Sequence, residues 1–348
     1  MKEAVFEFQF LTPALLAGAD QQNAEMRISS LRGALRWWTR YFAGTETENK
    51  IFGYANKTGC QSSTVHFRLL SGNPRILKSQ NAQSITGDKA DYFLWPLREN
   101  TRGVIDAGSR FKIACKLKPG VEMEDWILKS FLLFGSLGSR SRRAYGSVWP
   151  LSVKIDGVEW KIPTTIDELL YEADEIFKKQ EVVLYQIGTP QNDYKKAIAL
   201  CADFLKRIRC GKALGKYNPS PWGENDHEAG LRKSDKIYRA ALGLPLRQRY
   251  SSAKADVEYS IDQWERFASP LHFKIIKADS GYVALLLVMP QYAPINGQTV
   301  LAKNKTNHSQ FKLKLDTALL DELRNAGEDL FELCPNTEYL DSYPHEEE

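Results

Sequence analysis

Two short segments concentrate residue types that could hold phosphate. The first runs from Arg27 to Arg40, where Arg32, Arg36 and Arg40 recur every four residues. That spacing puts three guanidinium groups on one stripe of a helix. No carboxylate stands four residues from any of them. The second is Gly135-Ser136-Leu137-Gly138-Ser139-Arg140-Ser141-Arg142-Arg143-Ala144-Tyr145-Gly146. Its glycines and serines could let backbone amides converge into an anion nest, with Arg140, Arg142 and Arg143 supplying charge. Tyr145 and the guanidinium planes could stack on bases. The competing readings are a solvated arginine face and a basic connector. The absence of a neutralising acid tilts the first segment, and the three embedded arginines tilt the second, toward phosphate or nucleic acid.

Candidates for catalysis are sparser. Asp20, in a glycine-bearing loop, is the best-placed carboxylate for acid/base or metal work, although acids in such loops more often turn the chain. His66 and His272 read as packed or hydrogen-bonded side chains. Gly211 to Tyr217 has one residue too few between its glycines for a phosphate-binding loop, and ends in Tyr where Ser or Thr is required. Gly135 and Gly138 follow a helix instead of a strand, the reverse of a dinucleotide fingerprint. The sequence therefore indicates no cofactor. Five scattered cysteines with no Cys-x-x-Cys pair argue against a structural zinc site and for free thiols in a reducing cytoplasm.

The elements that must position these residues follow from periodicity. Ala4 to Phe10 alternates as a strand ended by Thr12-Pro13. A helix starting at Leu31, capped by Ser29 or Ser30, buries Leu31, Ala34, Leu35, Trp38 and Phe42. Thr45 to Ser62 reads as a loop, Val65 to Leu70 as a strand, and Ser71 to Lys89 as an insertion or hairpin before Tyr92-Phe93-Leu94-Trp95-Pro96. A strand over Phe111 to Leu117 is followed by a helix whose first turn holds Glu122, Glu124 and Asp125 and which stops at Gly135. A strand over Tyr145 to Ile155 completes the order strand, helix, strand, strand, helix, strand. That is the ferredoxin-like pattern, an antiparallel sheet with two helices on one face and the other face free.

Beyond residue 155, helices are expected at Ile166 to Lys179, Asp193 to Arg209 and Lys233 to Leu242, strands at Leu271 to Ile276 and Tyr282 to Met289, and a helix at Leu315 to Leu333. Only the start of a second repeat is legible. The division expected is residues 1–155 and 156–348, in an α+β protein. Residues 1–150 carry a net charge of +8 and the remaining 198 carry −4, giving the overall +4. No apolar run approaches the length of a membrane-spanning helix, and the N-terminus lacks a signal-peptide core. The membrane is excluded as a partner, and the acidic tail ending Glu346-Glu347-Glu348 reads as solvated.

The two clusters resemble those of the RAMP superfamily of CRISPR-associated proteins, whose members carry a late glycine-rich loop. Thr12-Pro13, Gly18-x-Asp20, Glu25-x-Arg27, Ser30-Leu31-Arg32-Gly33 and Leu35-Arg36-Trp37-Trp38 resemble the family of first subunits of type III-B Cmr effector complexes. Gly138 to Gly146 fits the second motif, with Ala144 where glycine is commoner, and Arg266-Phe267-Ala268-Ser269-Pro270-Leu271 is a third match. The resemblance implies tandem ferredoxin-like, RRM-related modules, the second degenerate with helical insertions. It also implies CRISPR RNA, target RNA and other Cmr subunits as partners, with this subunit toward the 3′ end of the guide and cleavage assigned elsewhere. The arginine helix and glycine-rich loop would hold sugar-phosphate while guide-target pairing supplies specificity. A metal-dependent endoribonuclease using Asp20 and a purely architectural subunit are the alternatives.

Overall fold

The computed structural model describes residues 1–57, 59–81, 84–85, 91–94, 101–177, 180–210, 218–250, 254–261, 268–289 and 296–340. Trp95-Pro96, most of 82–89, the Gly211 to Tyr217 segment, Arg266-Phe267 and the acidic tail lie outside the described residues.

The first module opens with β1 (Glu3–Phe10), whose even-numbered residues Ala4, Phe6, Phe8 and Phe10 are buried. Helix α1 (Ile28–Phe52) follows, then a small hairpin of β2 (Tyr54–Asn56) and β3 (Gly59–Gln61), and the long strand β4 (Val65–Asn73). An excursion carries β5 (Ile76–Gln80), the single turn α2 (Asp91–Leu94) and β6 (Arg102–Ile105). β7 (Arg110–Leu117), α3 (Asp125–Phe134), β8 (Val148–Ile155) and the short β9 (Val158–Glu159) complete it. The sheet order is β4-β7-β1-β8-β9, the ferredoxin-like arrangement expected. Its outer face exposes Arg68, Arg110, Lys112, Lys116 and Lys154 together with His66.

Helix α1 differs from expectation. It begins at Ile28 with Arg27 as an N-cap that makes no side-chain bond, and it continues past Gly44 to Phe52. Gly44 sits at φ 82°, ψ 167°, which glycine adopts without steric cost and which breaks the helical path. In a straight helix Arg32 and Phe52 would be about 30 Å apart. Arg32 Nη2 instead donates to the Phe52 carbonyl at 2.7 Å, so the two arms double back as a helical hairpin. The expected loop at Thr45 is the return arm. Helix α3 is shorter than expected at its start, so Asp125 alone of the three acids lies in its first turn, while Gly135 caps its end as expected.

The second half repeats the topology around two excursions. After α4 (Ile166–Phe177) come β10 (Val183–Ile187), α5 (Tyr194–Arg209), capped by the Asp193 carboxylate at Lys195 N, and α6 (Pro221–Gly230). Where a helix is expected at Lys233 to Leu242, the chain forms β11 (Lys236–Ile237) and a 3₁₀ turn (Arg239–Leu242). β12 (Leu246–Tyr250), β13 (Ala255–Ser260), β14 (Leu271–Ala278), β15 (Gly281–Val288), β16 (Thr299–Asn304) and β17 (Gln310–Leu315) follow. The expected final helix is two, α7 (Ala318–Arg324) and α8 (Glu328–Leu333), before β18 (Thr337–Tyr339). The order β14-β15-β10-β18 matches β4-β7-β1-β8 of the first sheet, with no counterpart to β9 among the described residues. The excursions pair with each other as a third sheet, β11-β17-β16-β13-β12.

Alternation along β14 and β15 shows how the modules stack. Phe273, Ile275, Ala284, Leu286 and Val288 join a core with α5, whereas Ile276, Val283, Leu285 and Leu287 join the core of the first module with α3. The second sheet is therefore buried on both faces, one on its own helices and one on those of the first module. The layers run sheet, helices, sheet, helices.

Candidate nucleic-acid interface

The arginine stripe lies between the arms of α1. Glu48, 1% exposed, accepts from Arg36 Nε and from Arg40 Nε and Nη2, the latter two at 2.6 and 2.9 Å. The hydrogen bond from Arg40 holds its carboxyl below the usual range against the opposing pull of burial. The expectation that no acid neutralises the stripe is corrected. The acid is eight and twelve residues along, and the turn at Gly44 brings it back. Arg27 is an exposed partner of Glu25 at 3.4 Å.

The glycine-rich loop is likewise more enclosed than a nest. The amides of Leu137, Ser139, Arg143, Ala144 and Gly146 donate to the carbonyls of Gly146, Leu15, Arg140, Phe273 and Pro13. A loop trapped between two modules must satisfy its amides internally, so these five do not converge on an anion. Gly146, at φ 65°, presses on the Leu137 carbonyl where a Cβ would collide. Tyr145 is wholly buried, and the Ala144 carbonyl beside it is fixed by Thr12 Oγ1 at 2.7 Å. It cannot present a face to a base, which corrects the stacking role expected of it. Strand β8 begins three residues later than expected, and this leaves Tyr145 in the buried turn.

The loop instead attaches to the second module along the edge of β14. Phe273 N donates to Arg142 O at 3.2 Å and Ala144 N to Phe273 O at 3.0 Å. Lys274, 1% exposed, donates from Nζ to the carbonyls of Gly135 and Val148 at 2.5 and 2.6 Å, and burial pushes it well below the ordinary lysine value. Arg143 N closes a turn on Arg140 O at 2.8 Å, and the turn sends the Arg142 and Arg143 side chains to different sides of β14.

On one side a cleft of about 160 Å³ opens between α1, the end of α3, the loop and β14. Of the expected residues Gly135, Ser136, Ser141 and Arg142 line it, together with Trp37 and His272. The Arg142 guanidinium lies 5.0 Å from the Trp37 ring centre, and His272 stacks on the same ring at 5.2 Å and 18°. Burial, then Arg142 and Arg143, push His272 well below its ordinary value, so the ring is uncharged at pH 7. Arg140 sits beside Arg102, its acidity raised first by burial and then by that neighbour. Ser139 and Gly138 lie against Leu15.

Arg143 faces the other way, with Phe93 and Phe273 at 6.0 and 5.8 Å and Leu271 O at 3.2 Å. Thus segments from all three matching stretches meet, Trp37 from the first, Arg142 and Arg143 from the second, Ser269 and Leu271 from the third. Sequence reasoning missed Trp37 and His272. The available signal was that Trp37 falls off the apolar stripe that takes Trp38 into the core, where its Nε1 donates to Ser130 Oγ at 2.7 Å.

Asp20 is exposed and accepts from Gln22 N at 2.9 Å and Asn23 Nδ2 at 2.5 Å, closing its own turn. His66 is exposed on β4. Among the described residues no group of three or more His, Cys, Asp or Glu side chains is placed to hold a metal ion, and no helix is long and apolar enough to cross a membrane.

Residues 7–149 match the family model of the RAMP superfamily. A Pyrococcus furiosus protein named CRISPR system Cmr subunit Cmr1-2 is 27% identical over 177 residues, covering 42% of this chain and 95% of that protein. Cmr subunit Cmr1-1 of the same organism is 25% identical over 297 residues, covering 78% of this chain and 82% of its own length. The crystal structure of Cmr1 from P. furiosus, apo form, superposes with a TM-score of 0.57 over 99% of this chain and all of that one, at 17% identity, a likeness of fold. The chain is thus similar to the RAMP superfamily over residues 7–149 and, over most of its length, to the Cmr1 proteins of P. furiosus.

Proposed function

We propose that this chain is a non-catalytic, RNA-binding subunit of a CRISPR RNA-guided Cmr-type complex, holding guide or target RNA near the guide 3′ end. The observation that carries the reading is the cleft where Trp37, Arg142 and His272 meet, with an aromatic face and a cation over it. That pairing suits an unstacked base and its phosphate and tolerates any sequence, as expected where base pairing supplies specificity.

Anisotropy titration of labelled single-stranded RNA tests it. Affinity should fall steeply with salt, and Trp37→Ala and Arg142→Ala should each weaken binding about tenfold, the scale of one lost stacking or charged contact. Equal affinity in both variants and the parent would sink the cleft as the RNA site. Cross-linking in the assembled complex should map to the 3′ portion of the guide. The engagement of Asp20 in its own turn supports the non-catalytic reading, and Asp20-dependent cleavage of labelled RNA with Mg²⁺ would overturn it.

A further inference from the structure

On the face of β14 opposite the cleft, positive charge gathers without an equal complement of acids among the described residues. Arg143 spends its donors on neutral oxygens, those of Arg142, Leu271 and Ser269, at 3.1, 3.2 and 3.5 Å. Arg209, in the last turn of α5, bears on the same place, its charge acting on both Tyr92 and Arg143. Its Nε is shut away from solvent and has no hydrogen-bond partner among the described residues. Lys206 lies 5.6 Å from the Tyr92 ring centre. Asp226, the partner of the nearby Arg239, is already taken by Arg239 Nε at 2.8 Å and by the amides of Tyr238 and Arg239 at 2.7 and 3.0 Å.

Burial, then Arg209, lower Arg143 to about 9. Burial alone would raise Tyr92, but Arg209, Arg239 and Arg143 together carry it below the ordinary tyrosine value. Both shifts accord with surroundings that favour negative charge. Enclosed guanidinium groups without carboxylates are costly unless an anion joins them, and their forked donors match tetrahedral oxyanions. Tyr92, Arg143 and Arg209 each keep part of their surface accessible, so a ligand can reach them.

We propose that Arg143, Arg209 and the Tyr92 hydroxyl form a seat for a phosphate-class oxyanion, separate from the Trp37 cleft and across β14 from it. The occupant is a phosphate group, whether carried by an RNA strand or free in solution.

The full-length chain is titrated with inorganic phosphate against chloride at matched ionic strength, following its thermal midpoint, as the parent and as Arg209→Gln and Tyr92→Phe. The parent should be stabilised in a saturable manner, Arg209→Gln should lose about tenfold in phosphate affinity, and Tyr92→Phe should lose less. RNA anisotropy with and without phosphate separates the sources. Competition by phosphate and weaker RNA binding in Arg209→Gln assign the seat to an RNA phosphate, whereas unchanged RNA binding beside phosphate stabilisation assigns it to the free ion. Identical phosphate and RNA responses in the parent and Arg209→Gln overturn the proposal; should that variant fail to fold, Tyr92→Phe, which removes one hydroxyl, decides. A Trp37→Ala variant with full RNA affinity overturns the cleft and leaves the seat standing.

Discussion

Trp37 and Trp38 are neighbours in sequence and opposites in role. One hundred degrees of helical rotation sends Trp38 into the core against Phe42 and Phe131 and leaves Trp37 at the cleft under Arg142. His272, stacked on Trp37, makes the site sensitive to acid. The unfolded chain takes up a proton on this histidine near 6.5, whereas the folded chain resists it because of burial and then Arg142 and Arg143. The unfolded state therefore binds more protons below 6.5, and stability should fall as pH drops from 6.5 toward 5. Urea denaturation across that range should show a shallower fall for His272→Phe, which keeps the ring stack and removes the proton site. Identical pH slopes would rule out the histidine as the cause.

At the scale of elements, Glu48 holds the arms of α1 together. Its loss should separate Arg36 and Arg40 from the return arm and destabilise the protein by about 1–3 kcal/mol, with the arginines recovering part of the cost through their exposure to water. Glu48→Ala should accordingly lower the thermal midpoint by several degrees. Gly146→Ala should cost at least about 3 kcal/mol, combining a left-handed backbone with a collision at the Leu137 carbonyl. Strands β1 and β7, α3 from Asp125 to Gly135, and α5 were legible because each carries an unbroken period of two or about four, whereas the hairpin β2-β3 fell within the expected loop Thr45 to Ser62. The return arm of α1 was not, since Thr-Glu-Thr-Glu-Asn-Lys shows no apolar period and follows a glycine. The second repeat was illegible for a different reason. Its strands are separated by residues 210–270 and 289–336, and the topology emerges only when those excursions pair with each other. The final helix was read through Ala326, whose φ of 50° divides it.

For the whole molecule, the second sheet sits between two sets of helices, so neither core closes without the other. Leu15, Phe93, Leu94 and Val104 of the first half belong to the core around α5, and Leu184, Leu285 and Leu287 of the second half belong to the core around α3. Scanning calorimetry should therefore record a single cooperative transition, with a calorimetric enthalpy matching the van't Hoff value. Two resolved transitions would show that the modules melt independently. The charge asymmetry of the sequence also acquires a location, because the basic half contributes both the cleft arginine and the outer sheet face.

The pairing of the glycine-rich loop with β14 has one further consequence. β14 is the terminal strand of its sheet, and a bare terminal strand invites another chain to add to it. Here the loop occupies that edge, so the segment proposed to meet RNA also guards against self-association. Variants that unfasten it, Gly146→Ala among them, should lose solubility along with affinity, and light scattering should detect aggregates at concentrations where the parent stays monodisperse.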